Sequence, residues 1–292
     1  MTVPADGSCP LVTIGIPLYR ARPFVDRIVH NIQSIDYPEL EFIVADQHGL
    51  DDATELLRER VGDDARVRLF ETTDELDWIR NYNFVLRQAT GKYFRLLAQD
   101  DVIPPASLSA AVACLEGAPE VSVVDGPVDA IDVNGGIVRR DRDASRRGRR
   151  PSRWARFDAL LLFAGWRHDG ANLGLVRRAV AVDNGLYIPH TQGMTGLSVR
   201  AWLFALALRG RVRTVADYTN QRCIHPESFT ARHRGRSAGD QIRRLASYLK
   251  VGLRSWNDAR GSVAERLWGP PALFVAAFFL LPLRRAWQRF SR

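Results

Sequence analysis

Two adjacent carboxylates, Asp100 and Asp101, follow directly on the run Tyr93, Phe94, Arg95, Leu96, Leu97 and stand just ahead of Pro104 and Pro105. An aromatic and aliphatic run ended in this way reads as a buried strand whose carboxyl end opens into a loop of concentrated negative charge. Side by side, the two acids raise each other's pKa unless positive charge neutralises them. A hard divalent cation bridging to a substrate phosphate does this with oxygen ligands. The same residues can instead form a solvated turn before a helix that starts near Ser107.

The elements needed to position these acids are readable on both sides. Leu11 to Pro17 is a β-branched run that reads as a strand stopped by proline, with Tyr19 and Arg20 in the loop after it. Phe24, Ile28, Ile32 and Ile35 fall at helical spacing over residues 23–35, and Tyr37-Pro38 breaks that helix. Glu41 to Ala45 is a second strand ending at Asp46, Ala53 to Arg60 a helix, and Arg66 to Phe70 a third strand. Trp78 to Ala89 reads as a helix that Thr90-Gly91 ends just before the central strand. Strand alternating with helix over the first hundred residues predicts an α/β, doubly wound, mostly parallel sheet of Rossmann-like build. Ligands of such sheets lie across the carboxyl ends of the strands, here Pro17, Asp46 and Asp100. No Gly-x-Gly-x-x-Gly and no Walker lysine occurs, so neither dinucleotide nor P-loop binding is supported.

Charge is split along the chain. Residues 1–138 hold 11 Lys and Arg against 23 Asp and Glu, whereas residues 139–292 hold 30 against 10. A basic second half suits an anionic partner such as a nucleotide diphosphate, an acidic phospholipid or nucleic acid. Residues 139–156 contain nine arginines in eighteen residues, which reads either as a solvated loop or as a surface facing phosphate. Trp154 is the one aromatic available there for stacking, so nucleic acid is the weakest of the three partners. Three cysteines form no framework, and residues 1–10 hold neither a charged start nor an apolar run. A reducing, cytoplasmic setting is the expectation.

Taken in order, Ile16 to Tyr19, Asp46 with Asp51 to Thr54, Arg80 to Phe84 leading to Ala89 to Tyr93, and Leu97 to Asp101 with Pro104 resemble the family 2 glycosyltransferases of GT-A fold. The resemblance spans roughly residues 10–230 and implies a GT-A domain over 1–230, with 231–292 as a basic helical extension. It implies an inverting transfer of a sugar from a nucleotide-diphosphate donor to a saccharide or lipid-linked acceptor. Surface polysaccharide or glycolipid assembly at the inner face of the membrane is the implied setting.

Residue by residue, the resemblance assigns Pro17 and Tyr19 to the first nucleotide-contacting loop and Asp46 to the base of the nucleotide. Arg80 and Asn83 join the donor-binding positions. Asp100 matches the second acid of the family's Asp-x-Asp motif, whose first acid is Ala98 here. Asp100, with Asp101 as a further ligand or a helix cap, would hold Mg2+ or Mn2+. Arg222 to Ser228 resembles the family's Arg-x-His-x-x-Ser segment, which places Arg222 on the diphosphate and His225 beside the metal. The family's acidic pair before the apolar helix Trp202 to Leu208 has no counterpart in Gly193 to Ser198. Asp169 or His190 is therefore the substitute base, with Asp183 more distant; His168 shares the Asp169 loop.

An alternative on the same fold is a catalytically impaired module that binds nucleotide-sugar or lipid. Finally, Leu267 to Leu283 carries no charge, between Arg266 and Arg284. A helix over Pro270 to Leu283 would be roughly 21 Å long against a hydrocarbon layer of about 30 Å. The segment at about 267–290 therefore reads either as an interfacial contact with an anionic membrane or as packing onto the main domain.

Overall fold

Val12–Leu18 (β1) and Leu40–Gln47 (β2) are buried along their whole lengths. They pair in parallel, from Val12 opposite Leu40 to Leu18 opposite Asp46. Strands covered on both faces read as near-continuous apolar runs rather than alternating ones, and the polar pair inside these two is matched, Thr13 Oγ1 donating to Glu41 Oε2 at 2.6 Å. The computed structural model describes residues 9–47, 49–72, 77–141, 155–165, 172–191, 195–225, 238–259 and 263–280.

Val67–Thr72 (β3) extends the sheet beside β2, and Tyr93–Leu96 (β4) pairs with β1 over Val12 to Gly15. Further strands are Val121–Asp125 (β5), Val128–Ile131 (β6), Ile137–Arg139 (β7), Leu175–Arg177 (β8), Arg211–Thr214 (β9) and Asn220–Cys223 (β10). The main sheet has the order β3-β2-β1-β4-β8-β5-β9, and β10-β6-β7 form a second, smaller sheet. Among the described strands of the main sheet β8 alone runs against its neighbours, antiparallel to both β4 and β5, and in the smaller sheet β7 runs antiparallel to β6. Pro17 does not stop β1, which continues through Leu18. Pairing with β4 has ended at Gly15, so the missing proline N–H leaves no gap in that ladder.

Helices cover both faces. Val25–Ser34 (α1), Ala53–Val61 (α2) and Ser107–Glu116 (α4) pack on one side, where Ile14, Ile16, Phe42, Leu57 and Leu108 form one core. Trp78–Gln88 (α3), Ala155–Ala164 (α5) and Thr195–Ala207 (α7) pack on the other, around Ile43, Leu86, Phe94, Phe163 and Trp202. A short helix, Arg178–Val182 (α6), follows β8. Helix α3 lies so close to β1 that a Cβ on Gly15 would stand 2.9 Å from Val85 Cγ2 and 2.8 Å from the Phe94 ring. The apolar pattern of Trp202 to Leu208 marks only the second half of α7, which begins at Thr195.

Ala238–Asp258 (α8) and Val263–Val275 (α9), the latter running into a π-helical turn at Ala276–Leu280, build onto the α5 and α7 face. The Tyr248 ring stacks on Phe163 at 4.0 Å and its hydroxyl donates to the Phe163 carbonyl at 2.8 Å. Trp256 is buried, stacked on Phe204 and met edge-on by Trp268 at 5.1 Å. Gly269 lets α9 pass directly over that indole, where any Cβ would collide. One face of the extension is thus part of the main core.

Candidate active site

The carboxyl ends of β2, β1 and β4 lie side by side, and the loops leaving them are tied together by side chains. Gln99 accepts a hydrogen bond from the Tyr19 N–H at 2.8 Å and donates to the Tyr19 carbonyl at 3.0 Å. Arg20, next along, has φ +46, a left-handed conformation uncommon for a side chain of this size. On the other side, the Arg22 N–H donates to Asp51 Oδ2 at 3.0 Å, and its guanidinium pairs with Asp52. The loop carrying Tyr19 and Arg20 is therefore held from β2 and from β4 at once, with the Tyr19 ring half exposed.

Asp46 is buried at the end of β2 and accepts from Thr54 Oγ1 at 2.8 Å. Burial raises its pKa, with the charges of Asp51 and Glu71 adding to the effect and the Thr54 bond opposing it. Asn81, one residue past Arg80, donates to the carbonyls of both Leu18 and Ala45 at 3.1 Å. That strap brings the first turn of α3 to the ends of β1 and β2. Asp77 caps α3 by accepting from the Arg80 N–H at 2.9 Å, and its Oδ2 lies 3.6 Å from His190 Nε2. Arg80, Asp77 and His190 accordingly form one solvent-facing cluster at the same end of the sheet. Asn83 faces elsewhere: both ends of its carboxamide are used on the backbone of Ile188, at 2.9 and 2.8 Å. It fixes the loop carrying His190. Pro17 is buried within β1 opposite Ala45.

The paired acids part company. Asp100 Oδ2 lies 3.0 Å from His225 Nε2, and the Asp100 carbonyl accepts from Arg27 Nη1 at 2.7 Å. Asp101 turns inward, is 4% exposed, and accepts the Cys223 N–H at 3.0 Å. Burial, then the charge of Asp100, pushes its pKa up to about 7 against the pull of Arg222 and Arg95. Arg95 is fully buried and donates to the Tyr218 hydroxyl at 3.1 Å. A capping role for Asp101 does not hold: α4 starts at Ser107 after Ala106, with no side-chain cap.

His225 reaches Asp100 because β10 is stitched to the loop after β4. Val102 and Gln221 exchange backbone hydrogen bonds at 2.9 and 3.1 Å, and Asp101 holds Cys223. Arg222 lies between these contacts, and its charge acts on Asp101. Asn31 of α1 adds a strut by donating to the Asp101 carbonyl at 3.0 Å and accepting from the Ile103 N–H at 2.9 Å.

Asp169 and His168 lie outside the described residues, as do residues 142–154 of the arginine-rich stretch. Asp183 ends α6. Where a carboxylate is missing ahead of the apolar helix, Ser198 is buried against Thr191, their hydroxyls 2.7 Å apart. Gln99, Asp77 and Arg27 were not singled out by their residue types. Asp77 had a usable signal, an Asp just before an apolar-periodic helix. Arg27 had none, since its partners come from the loops after β4 and β6.

A mostly parallel sheet with one reversed strand, and acids at the carboxyl ends of its first strands, defines an α/β protein of GT-A fold. The glycosyl transferase family 2 profile matches residues 13–182, and the chain belongs to that family. The match runs from β1 to α6, so His190, Arg222 and His225 lie beyond it.

Among curated relatives, an uncharacterized glycosyltransferase of Haemophilus influenzae is 29% identical over 109 residues, 37% of this chain and 34% of its own. The GalNAc(5)-diNAcBac-PP-undecaprenol beta-1,3-glucosyltransferase of Campylobacter jejuni is 27% identical over 101 residues, 34% and 33% of the two chains. The matched segment is thus about a third of the length of these relatives. Among solved structures, S. aureus TarS 1-349 is similar with TM-score 0.64 and 15% identity, covering 92% of this chain and 72% of that one. The mannosyltransferase PcManGT of Pyrobaculum calidifontis, in complex with GDP-Man and Mn2+, has TM-score 0.60 and 20% identity over 96% and 74%. At these identities the likeness is one of fold.

Proposed function

We propose that this chain transfers a sugar, with inversion, from a nucleotide-diphosphate donor to a saccharide or lipid-linked acceptor. The observation that carries this reading is the placement of Asp46, Tyr19, Asp100 and His225 around the ends of three adjacent strands, the usual ligand crevice of such sheets. Relatives lend it support: TarS was solved with UDP-GlcNAc, PcManGT with GDP-Man, and the Campylobacter jejuni relative is named for a lipid-linked acceptor. Assembly of cell-surface polysaccharide or glycolipid at the inner face of the membrane is the setting we infer.

In this reading Asp46, fixed by Thr54, accepts hydrogen bonds from the base, while Tyr19 forms the wall beside it and Pro17, buried in β1, sets the strand from which that loop leaves. Arg80 and Arg222 face the diphosphate, where fixed cations stabilise charge that develops as the bond breaks. Among the described residues no three His, Cys, Asp or Glu side chains converge as a metal cage. Asp100, with His225 beside it, supplies one carboxylate, and a magnesium-type ion takes one or two carboxylates with the remainder from phosphate and water, so the site fits such an ion. When bound there, Mg2+ or Mn2+ would neutralise diphosphate charge. Asp101, buried on the Cys223 N–H, supports the loop instead.

His190 is the base we favour over Asp169, because the Asp77 carboxylate beside it stabilises the imidazolium formed on taking a proton. The acceptor hydroxyl loses that proton as its oxygen bonds to the anomeric carbon. The bond from that carbon to the diphosphate oxygen breaks, and the nucleoside diphosphate leaves with the electron pair. A base of this kind contributes typically 10²- to 10⁴-fold in rate.

The hydroxyl pair Thr191 and Ser198, in place of a carboxylate, favours a second reading: a module that binds nucleotide-sugar without turnover. Incubation with a panel of UDP- and GDP-sugars and Mg2+ or Mn2+, reading released nucleotide, separates the two. Nucleotide release that falls in His190→Ala supports transfer. Tight binding with no release from any donor, across saccharide and lipid acceptors, supports the module.

A further inference from the structure

From Trp268 to Phe279, helix α9 and the turn after it hold no charged residue, and among the described residues only one face is covered. Gly269, Leu273, Ala276 and Ala277 point inward against Trp256 and its neighbours. Trp268, Pro271, Phe274, Val275 and Phe279 are exposed, and the phenylalanines reach 48% and 56%. Positions 268, 271, 275 and 279 follow helical spacing, so the exposed side chains form a stripe rather than scattered singles. No helix among the described residues is long and apolar enough to cross a membrane.

The chemistry at the borders of the stripe says what covers it. No charged residue occurs from Leu267 to Leu283, and Arg284, Arg285, Arg289 and Arg292 then follow with Trp287 and Phe290. On α8, packed against α9, Arg243, Lys250 and Arg254 are exposed at spacings of seven and four, a stripe along one side. An exposed apolar strip on a helix packed against a cationic one, and followed in the sequence by arginines and an indole, matches the boundary layer of a bilayer with anionic headgroups, where aromatic side chains settle at headgroup depth. A second copy of this chain, itself basic, would set like charges against each other beside this strip.

We propose that the outer face of α9, Trp268 to Phe279, lies flat in the surface of an anionic phospholipid membrane while its inner face stays packed on Trp256. Packing and membrane contact, which compete as explanations of this segment in the sequence, are divided between its two faces. The proposal names the surface behind the membrane setting inferred above and is independent of the transfer chemistry.

The test is flotation of the full chain with vesicles of phosphatidylcholine alone or with phosphatidylglycerol added. The chain is expected to float with the anionic vesicles, less so in high salt. The doubly substituted Phe274→Ser/Phe279→Ser variant should partition roughly tenfold or more weakly. Its circular dichroism and its nucleotide-sugar binding without vesicles should be unchanged, since both side chains face outward. No flotation of the natural chain, or equal flotation of the variant, overturns the proposal. So does light scattering that shows a dimer dissociated by the same double substitution, which would assign the face to a second copy. Failure of the transferase reading would instead appear as absent donor binding in solution, whatever the vesicles do.

Discussion

The carboxamide of Gln99 closes on the backbone of Tyr19 from both ends, accepting from its N–H at 2.8 Å and donating to its carbonyl at 3.0 Å. The bond pair joins the loop after β4, which carries Asp100, to the loop after β1, which carries Tyr19 and Arg20. Two neutral hydrogen bonds near the surface contribute about 1 kcal/mol each at most. Gln99→Ala should therefore weaken donor affinity roughly tenfold with little change in kcat. Gln99→Asn, one methylene short of the contact, should not restore it. Steady-state kinetics over a donor titration reads the split between KM and kcat.

Asp101 makes folding depend on pH in an unusual direction for an acid. Its folded pKa is raised to about 7, well above the ordinary value for an aspartate. Between those values the unfolded chain has released the proton while the folded one keeps it. Stability should thus fall as pH rises from about 4 to 7 and remain low above that. Asp101→Asn keeps an acceptor for the Cys223 N–H and removes the charge. Thermal melts from pH 4.5 to 8 should show the decline in the natural chain and its loss in the variant. A decline of equal size in both would assign it to other groups.

Asp77 has two separable tasks, capping α3 and facing His190. Asparagine caps helices as well as aspartate does, so Asp77→Asn should leave the melting temperature nearly unchanged. It should nevertheless lower kcat, because the imidazolium formed on taking the proton loses its counter-charge. Asp77→Ala should do the same and in addition cost about 1 kcal/mol of stability. His190→Ala should lose 10²-fold or more in kcat with the donor KM retained.

The first half of the fold was legible because buried parallel strands announce themselves as near-continuous apolar runs between amphipathic helices. Asp46 and Asp100 were legible for the same reason: each is the first acid after such a run. What could not be read is set by contacts distant in the chain. Two acids ahead of a helix look like a cap, and Asp101 is drawn inward instead by Cys223, which arrives with β10. Asn83 lies in a motif of donor-binding residues, yet its amide is occupied by Ile188. The meeting of Asp77 with His190 leaves no mark in the local pattern of either. Strand β6 follows β5 after only two residues, yet it pairs with β10 and β7 and so leaves the main sheet.

The role given to Asp100 is tested most directly by calorimetric titration of UDP-GlcNAc and of GDP-mannose, with and without Mn2+, into the natural chain and Asp100→Ala. At least one donor should bind the natural chain more tightly with Mn2+, and the variant should lose that gain while keeping its metal-free affinity. Equal donor affinity in the two proteins with Mn2+ present would contradict the placement of the diphosphate at Asp100 and His225.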